Sequence, residues 1–259
     1  MEIDTETIDL TVTSPPYDGL RKYNGYSFDF EKVANELYRV TKQGSVVVWI
    51  VGDQSKNGSE TGTSFKQALY FMSIGFNLHD TMIYRKNNRV PQNHNRYDQE
   101  FEYMFILSKG KPKTFNPIKE KCITAGATYK INKGKSASRQ ERFGAMREKQ
   151  SKTGTIETAK YKFRGNVWTY DVGKNKTSKD DIFLHPATFP EKLAQDHIQS
   201  WSNENDLILD PFMGSGTTAK MAILNNRRFI GFEISKEYCE LADKRIDYLR
   251  RQVTIFNIE

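Results

Sequence analysis

The chain has 259 residues, 37% of them hydrophobic and 27% charged, with a mean hydropathy of −0.69 and a formal net charge of +7. That balance fits a polar globular protein with one large domain, or one core carrying an insertion, and excludes a disordered tail. The longest apolar run, Val46 to Val51, is too short for a bilayer, and Met1 to Glu6 lacks the basic flank and apolar stretch of a secretory signal, so no membrane contact and a cytoplasmic location are expected.

Ile8 to Thr13 is a short β-rich run that stops at Pro15-Pro16, and across Phe30 to Val40 the apolar Phe30, Val33, Ala34, Leu37 and Val40 share one helical face. Gly44 is expected to end that helix, and Ser45 to Val51 (SVVVWIV) is the unalternating apolar run of a fully buried parallel strand, with Trp49 in the core. Thr63 to Ile74 is the next helix, closed by Gly75, and Asp80 to Tyr84 and Phe101 to Leu107 are further strands. Beyond a polar middle, Glu191 to Trp201 reads as a helix, Leu207 to Asp210 as a strand and Thr217 to Leu224 as a helix. Arg228 to Glu233 is then a strand, and Lys236 to Arg251 a long amphipathic helix with Tyr238, Leu241, Ala242, Ile246 and Leu249 inward. Alternating strands and helices imply an α/β sheet.

The charge is segregated. Lys109 to Lys179 holds 19 Lys and Arg against 5 Asp and Glu, whereas the rest of the chain holds 20 against 27. Such an excess suits a polyanion, because each phosphate neutralised releases condensed counterions; a solvated basic loop is the alternative. Cys122 and Cys239 lack a C-x-x-C or Cys–His spacing, so neither a disulfide framework nor a metal site is expected. His79, His94 and His197 have no partner spacing either and read as loop or core histidines. The Asn93 to Tyr97 loop either lines a base pocket or lies on the surface.

Two segments carry chemistry. In Asp210-Pro-Phe-Met-Gly-Ser-Gly-Thr-Thr-Ala219, a turn between strand and helix, Gly214 and Gly216 let a ligand approach the backbone, and the first N–H groups of the helix attract an anionic group. Glu233, seventeen residues beyond Gly216, ends the next strand, where a carboxylate accepts ribose hydroxyls. This describes a nucleoside cofactor with a negative tail, and both NAD and S-adenosylmethionine satisfy it. The other segment, Thr13-Ser-Pro-Pro-Tyr17, sits at the carboxyl end of a strand. Its prolines hold the backbone extended and remove two donors, leaving carbonyl acceptors beside the Ser14 hydroxyl and the Tyr17 ring, an arrangement suited to a planar ring with an amino group.

Together these segments resemble the amino-directed DNA methyltransferases, which act on cytosine N4 or adenine N6, in the permuted group where the catalytic motif precedes the cofactor motif. The resemblance runs through TSPPY at 13–17, GSVVVWIVGD at 44–53, TGTSFKQAL at 61–69, GFNLHDTMIYRK at 75–86 and FEYMFILSKGKPK at 101–113. It continues through HPATFPEKLA at 185–194, ILDPFMGSGTT at 208–218 and FIGFEIS at 229–235. It implies a seven-stranded Rossmann-like methyltransferase sheet with a catalytic half at 1–108, a basic target-recognition region at 109–180 and a cofactor-binding half at 181–259. Double-stranded DNA is the implied partner, contacted by Lys130, Lys133, Lys135, Arg139, Arg142 and Arg147; the family also allows a restriction endonuclease in the same system.

By the same resemblance the cofactor is S-adenosyl-L-methionine. Its methionine part lies by Asp210, Phe212, Gly214, Gly216, Thr217 and Thr218 with His185 nearby, and its ribose on Glu233. Ser14, Pro15, Pro16 and Tyr17 are the catalytic candidates: the Ser14 hydroxyl and Pro15 carbonyl engage the amine, Pro16 fixes the turn and Tyr17 stacks on a flipped base. A carbon-5 cytosine enzyme would need a Pro-Cys nucleophile, but Cys122 follows Lys121 and Cys239 follows Tyr238. Ser14 and HPATFP point to cytosine N4, with adenine N6 as the alternative. An inactive DNA-binding relative and a nicotinamide oxidoreductase are the other readings. One departure stands out: relatives carry a strand and helix before the catalytic strand, and here twelve residues precede Thr13. Either the chain is a shortened form, or Val253 to Phe256 supplies that edge as a strand, with Asn257 or Glu259 as polar contact.

Overall fold

The computed structural model describes residues 2–16, 29–88, 95–130, 155–172 and 190–256. In chain order the elements are β1 (Ile8–Thr13), α1 (Phe30–Val40), β2 (Thr41–Val51), the short pair β3 (Ser55–Lys56) and β4 (Ser59–Glu60), α2 (Thr63–Ser73), β5 (Asn77–Lys86) and β6 (Phe101–Ser108). Four short strands follow: β7 (Lys119–Lys121), β8 (Thr128–Lys130), β9 (Thr155–Glu157) and β10 (Tyr161–Phe163). The last are β11 (Val167–Tyr170), α3 (Glu191–Trp201), β12 (Leu207–Asp210), α4 (Thr217–Leu224), β13 (Arg228–Gly231) and α5 (Lys236–Phe256). Among the described residues no helix is long and apolar enough to cross a membrane.

Seven strands form one sheet in the order β11-β5-β6-β2-β1-β12-β13. Only β6 runs antiparallel to its neighbours, and β1 pairs in parallel with both β2 and β12. The apolar run of β2 does not alternate because both its faces are covered. Val47, Trp49 and Val51 join Ala34, Leu37 and Val40 of α1 and Ala68 and Phe71 of α2 in one cluster. Val46, Val48 and Ile50 are equally buried on the other side of the pleat. Trp49 is fully buried, its Nε1 donating to Gln67 Oε1 at 2.8 Å.

Helix α1 has the bounds its apolar face implies, and the Asp29 side chain accepts from the Lys32 N–H at its start. Gly44 does not end it. The helix stops at Val40, and Gly44 lies within β2 at φ +86, where a Cβ would come within 2.5 Å of Lys113 Cγ. Val253 to Phe256 form no strand either. They continue α5, since adding a hydrogen-bonded residue to an existing helix is cheaper than starting a new element; Asn257 and Glu259 lie outside the described residues.

By its contacts the chain divides into two units, Pro117–Gly165 and the remainder. The boundaries fall inside the 109–180 segment, since β11 belongs to the seven-stranded sheet and pairs in parallel with β5. The smaller unit holds two antiparallel ribbons, β7 with β10 and β8 with β9. His197 is a core histidine, fully buried with its ring 4.7 Å from that of Trp168, and His79 packs edge-on against Trp201.

Candidate active site

Because the chain leaves β1 toward β2 on one side and the sheet continues to β12 on the other, the carboxyl ends of β1 and β12 lie side by side where the strand order reverses. In open α/β sheets this is where ligands bind. The first strand delivers Thr13, Ser14, Pro15 and Pro16 to this point, and β12 delivers Asp210. Thr13 Oγ1 donates to Asp210 Oδ1 at 2.7 Å in the interior, and Thr218 Oγ1 donates to the Val12 carbonyl at 3.1 Å. Two motifs almost two hundred residues apart in sequence are thus bonded directly. Pro15 is buried, while Ser14 and Pro16 are partly open. Tyr17, His94 and His185 lie outside the described residues.

Beyond Asp210 the chain turns into α4. The Phe212 N–H donates to Asp210 Oδ1 at 3.1 Å, and the Met213 N–H to the Phe232 carbonyl at 2.8 Å, which clamps the turn against the end of β13. Gly216 caps the helix in the left-handed conformation, φ +77, where a Cβ would also meet Ala242 Cβ at 3.2 Å; a larger residue is disfavoured twice. Gly216 adds no side chain to cap the helix. The first N–H groups of α4, which like those of any helix have no intrahelical acceptor, therefore lack a capping side chain and suit an anionic group. Thr217 and Thr218 are buried, and both hydroxyls serve the protein: Thr218 as above, Thr217 accepting from Arg245 Nη1 at 3.2 Å.

Glu233 follows β13 and bridges two loops. Its Oε2 accepts from the Gly214 N–H and its Oε1 from the Ser235 N–H, both at 2.8 Å. A carboxylate has about four lone-pair sites, so each oxygen retains room for one further donor, such as a ribose hydroxyl. The site is electrostatically negative at this end. Burial pushes the Asp210 carboxyl up to about 6, against hydrogen bonds from Thr13, Thr218 and the Phe212 N–H that favour the anion, and the Glu233 charge pushes the same way as burial. Burial likewise raises the Tyr238 hydroxyl and the Cys239 thiol, again with Glu233 adding to the shift. Two carboxylates beside a helix N-terminus suit a ligand with separated charges, cationic near Asp210 and Glu233 and anionic at α4.

Sequence reading missed the support beneath this loop. Arg245 of α5 is 7% exposed; its Nη1 donates to the Ser215 carbonyl at 2.9 Å and its Nη2 to Glu191 Oε1. Lys220 of α4 meets the same Glu191 oxygen at 2.9 Å. One ion cluster therefore ties α3, α4, α5 and the glycine turn together. Asp53, just after β2, supports the neighbouring helix. It accepts from the Ser64 N–H at 3.0 Å and from the Ser64 hydroxyl, capping α2 where Gly62 has no side chain to do so. Arg96 links its loop to the β3–β4 turn through Ser55 Oγ and the Gly58 carbonyl, both at 2.7 Å, and Tyr97 is fully exposed.

Of the six residues assigned to DNA, Lys130 ends β8, and Lys133, Lys135, Arg139, Arg142 and Arg147 lie outside the described residues.

Comparison with known proteins gives the family and the fold. A profile of the DNA methylase family N6_N4_Mtase matches residues 8–244. The chain is 57% identical over 243 residues to the orphan methyltransferase M.BamHII of Bacillus amyloliquefaciens, covering 93% of this chain and 89% of the relative. It is 26% identical to the type II methyltransferase M.MthZI of Methanothermobacter thermautotrophicus, over 95% of this chain and 73% of that one. Among solved structures, the fold matches the PvuII DNA methyltransferase (cytosine-N4-specific) with a TM-score of 0.65 at 18% identity, over 93% of this chain and 80% of that chain. It matches the M1.HpyAVI–SAM complex with a TM-score of 0.56 at 23% identity, over 94% and 89%.

Proposed function

Since the chain belongs to the N6_N4_Mtase family of DNA methylases, we propose that it transfers a methyl group from S-adenosyl-L-methionine to the exocyclic amine of a base in DNA, and that the base is cytosine, methylated at N4. The observation that carries this reading is the buried Thr13–Asp210 hydrogen bond, which puts the Ser14-Pro15-Pro16 turn beside the glycine turn and Glu233. Support for cytosine comes from Ser14 and from HPATFP at 185–190. The 57%-identical relative is an orphan methyltransferase, which lends no support to a restriction endonuclease partner.

S-adenosyl-L-methionine supplies an electrophilic methyl group carried on a sulfonium. The residues supply the rest. An exocyclic amine is a poor nucleophile because its lone pair is delocalised into the ring, so acceptors that engage its N–H bonds favour the pyramidal nitrogen that attacks. The Ser14 hydroxyl and the Pro15 carbonyl are those acceptors. Both are neutral, so they orient the amine and stabilise the charge it develops, and the proton that the methylated nitrogen sheds passes to solvent at the partly open Ser14. Tyr17 stacks on the flipped base, and Pro16 keeps the turn extended. Asp210, Phe212 and the Gly214 to Thr218 turn would hold the amino-acid end of the cofactor and Glu233 its ribose, and His185 is assigned to the same end by the family resemblance alone.

Nucleosides from DNA methylated by the purified protein are expected to contain N4-methylcytosine by mass spectrometry. N6-methyladenine alone would overturn the choice of base while leaving the site assignment standing, and no methylated base at all would overturn the reading. Glu233→Ala is expected to weaken S-adenosylhomocysteine binding by about 1.5–3 kcal/mol, the worth of hydrogen bonds to a charged group. Glu233→Gln, which retains one acceptor oxygen, loses less. An unchanged calorimetric titration for both variants would remove Glu233 from the cofactor site.

A further inference from the structure

The β7–β10 ribbon presents two different faces. Tyr161 stands opposite Lys121, Phe163 opposite Lys119 and Lys162 opposite Glu120. Opposed residues of an antiparallel pair project to the same side, as do residues two apart in one strand. Lys119, Lys121, Tyr161 and Phe163 therefore share one face. Lys162 and Glu120 share the other, where a salt bridge of 3.3 Å pairs their charges. Both lysines of the first face are exposed, Tyr161 is 60% exposed and Phe163 45%.

We propose that this lysine-and-aromatic face is a contact surface for duplex DNA, resting on the methyltransferase reading above but using none of the residues which that reading assigns to DNA. Charge selects the partner. Residues 117–165 carry thirteen Lys and Arg against four Asp and Glu, so the unit attracts a polyanion and repels basic surfaces. Shape agrees, because a two-stranded ribbon is one of the elements that a major groove of about 12 Å admits. Lys119 and Lys121, two residues apart in a strand, stand about 7 Å apart. Two ammonium groups at that spacing on one exposed face can meet the closely spaced phosphates of one duplex together. The exposed rings beside them on the paired strand supply apolar contact of the kind made with thymine methyl groups.

Anisotropy titrations of the full chain on a fluorescent mixed-sequence DNA duplex, repeated over a range of salt, test this. Lys119→Gln combined with Lys121→Gln is expected to lower the log–log salt slope of the affinity by about two. Lys162→Gln, on the opposite face, should leave the slope as in the wild type. Tyr161→Ala with Phe163→Ala should weaken binding several-fold at every salt concentration, with S-adenosylhomocysteine binding unchanged. The lysine pair decides the assignment by itself, since exposed lysines are not needed for folding. A wild-type slope in the lysine pair, an equal drop in Lys162→Gln, or tighter binding to an RNA duplex of the same sequence would overturn it. If the wild type binds and methylates DNA while the lysine pair titrates like it, the ribbon assignment alone falls; if the wild type binds no duplex, the methyltransferase reading falls with it.

Discussion

Asp210→Asn is expected to stabilise the cofactor-free protein at neutral pH while weakening its grip on S-adenosyl-L-methionine. Asp210 is 2% exposed, and its carboxyl is raised to about 6 chiefly by burial, so at pH 7 the native state holds an anion it disfavours. A raised carboxyl contributes its full stability below the unfolded value, near 3.9, and that contribution is lost as pH climbs through about 6. The difference corresponds to ~3 kcal/mol at pH 7, or roughly 6–12 °C of melting temperature in a domain of this size. Asparagine fits the cavity. Its oxygen accepts from Thr13 and the Phe212 N–H as Oδ1 does now. Melting curves of the two proteins should diverge at pH 7 and converge near pH 4, whereas calorimetry with S-adenosyl-L-methionine should show weaker binding. A stability gap independent of pH would contradict the raised carboxyl.

Arg245→Met has the opposite sign. Breaking a buried ion pair costs about 3–5 kcal/mol, and the lower end applies because Lys220 continues to pair Glu191. The melting temperature should drop by roughly 6–12 °C at ~3 kcal/mol. Arg245 touches neither reacting group; it acts by holding the Ser215 carbonyl and the Thr217 hydroxyl, so it is a positioning residue. Steady-state kinetics should therefore show KM for the cofactor raised with kcat little changed. Arg245→Lys, which restores charge without the forked geometry, should recover stability more than KM. Equal loss in kcat and kcat/KM would place Arg245 in the chemistry instead of beneath it.

Sequence pattern delivered those elements whose neighbours are uniform along their length. Helix α1 and the glycine-turn helix α4 have the bounds their apolar faces imply, and the run in β2 announces two covered faces. Edge strand β11 was not legible. Val167-Trp-Thr-Tyr170 alternates exposed and buried residues inside a stretch dominated by lysine, and its place is fixed by pairing with Ile83 to Lys86, far away in sequence. Gly44 misled because glycine both ends helices and permits positive φ inside a strand, and only the approach of Lys113 distinguishes the two. In the site, the residues carried by motif were brought together as far as they are described. Arg245 was invisible because a charged residue on a long amphipathic helix reads as solvated, and its burial depends on a turn thirty residues upstream.

The bond between Thr13 and Asp210 spans 197 residues. Ribosomes add roughly 5–20 residues per second, so about 10–40 s separate the emergence of β1 from that of its neighbour β12. Throughout that interval one edge of β1 offers unpaired N–H and C=O groups, a template for pairing with the wrong chain. Contacts of such long range are also the slowest to close in refolding. Recovery of methylation after dilution from denaturant should therefore lag behind recovery of helical signal, and the yield should fall as protein concentration rises.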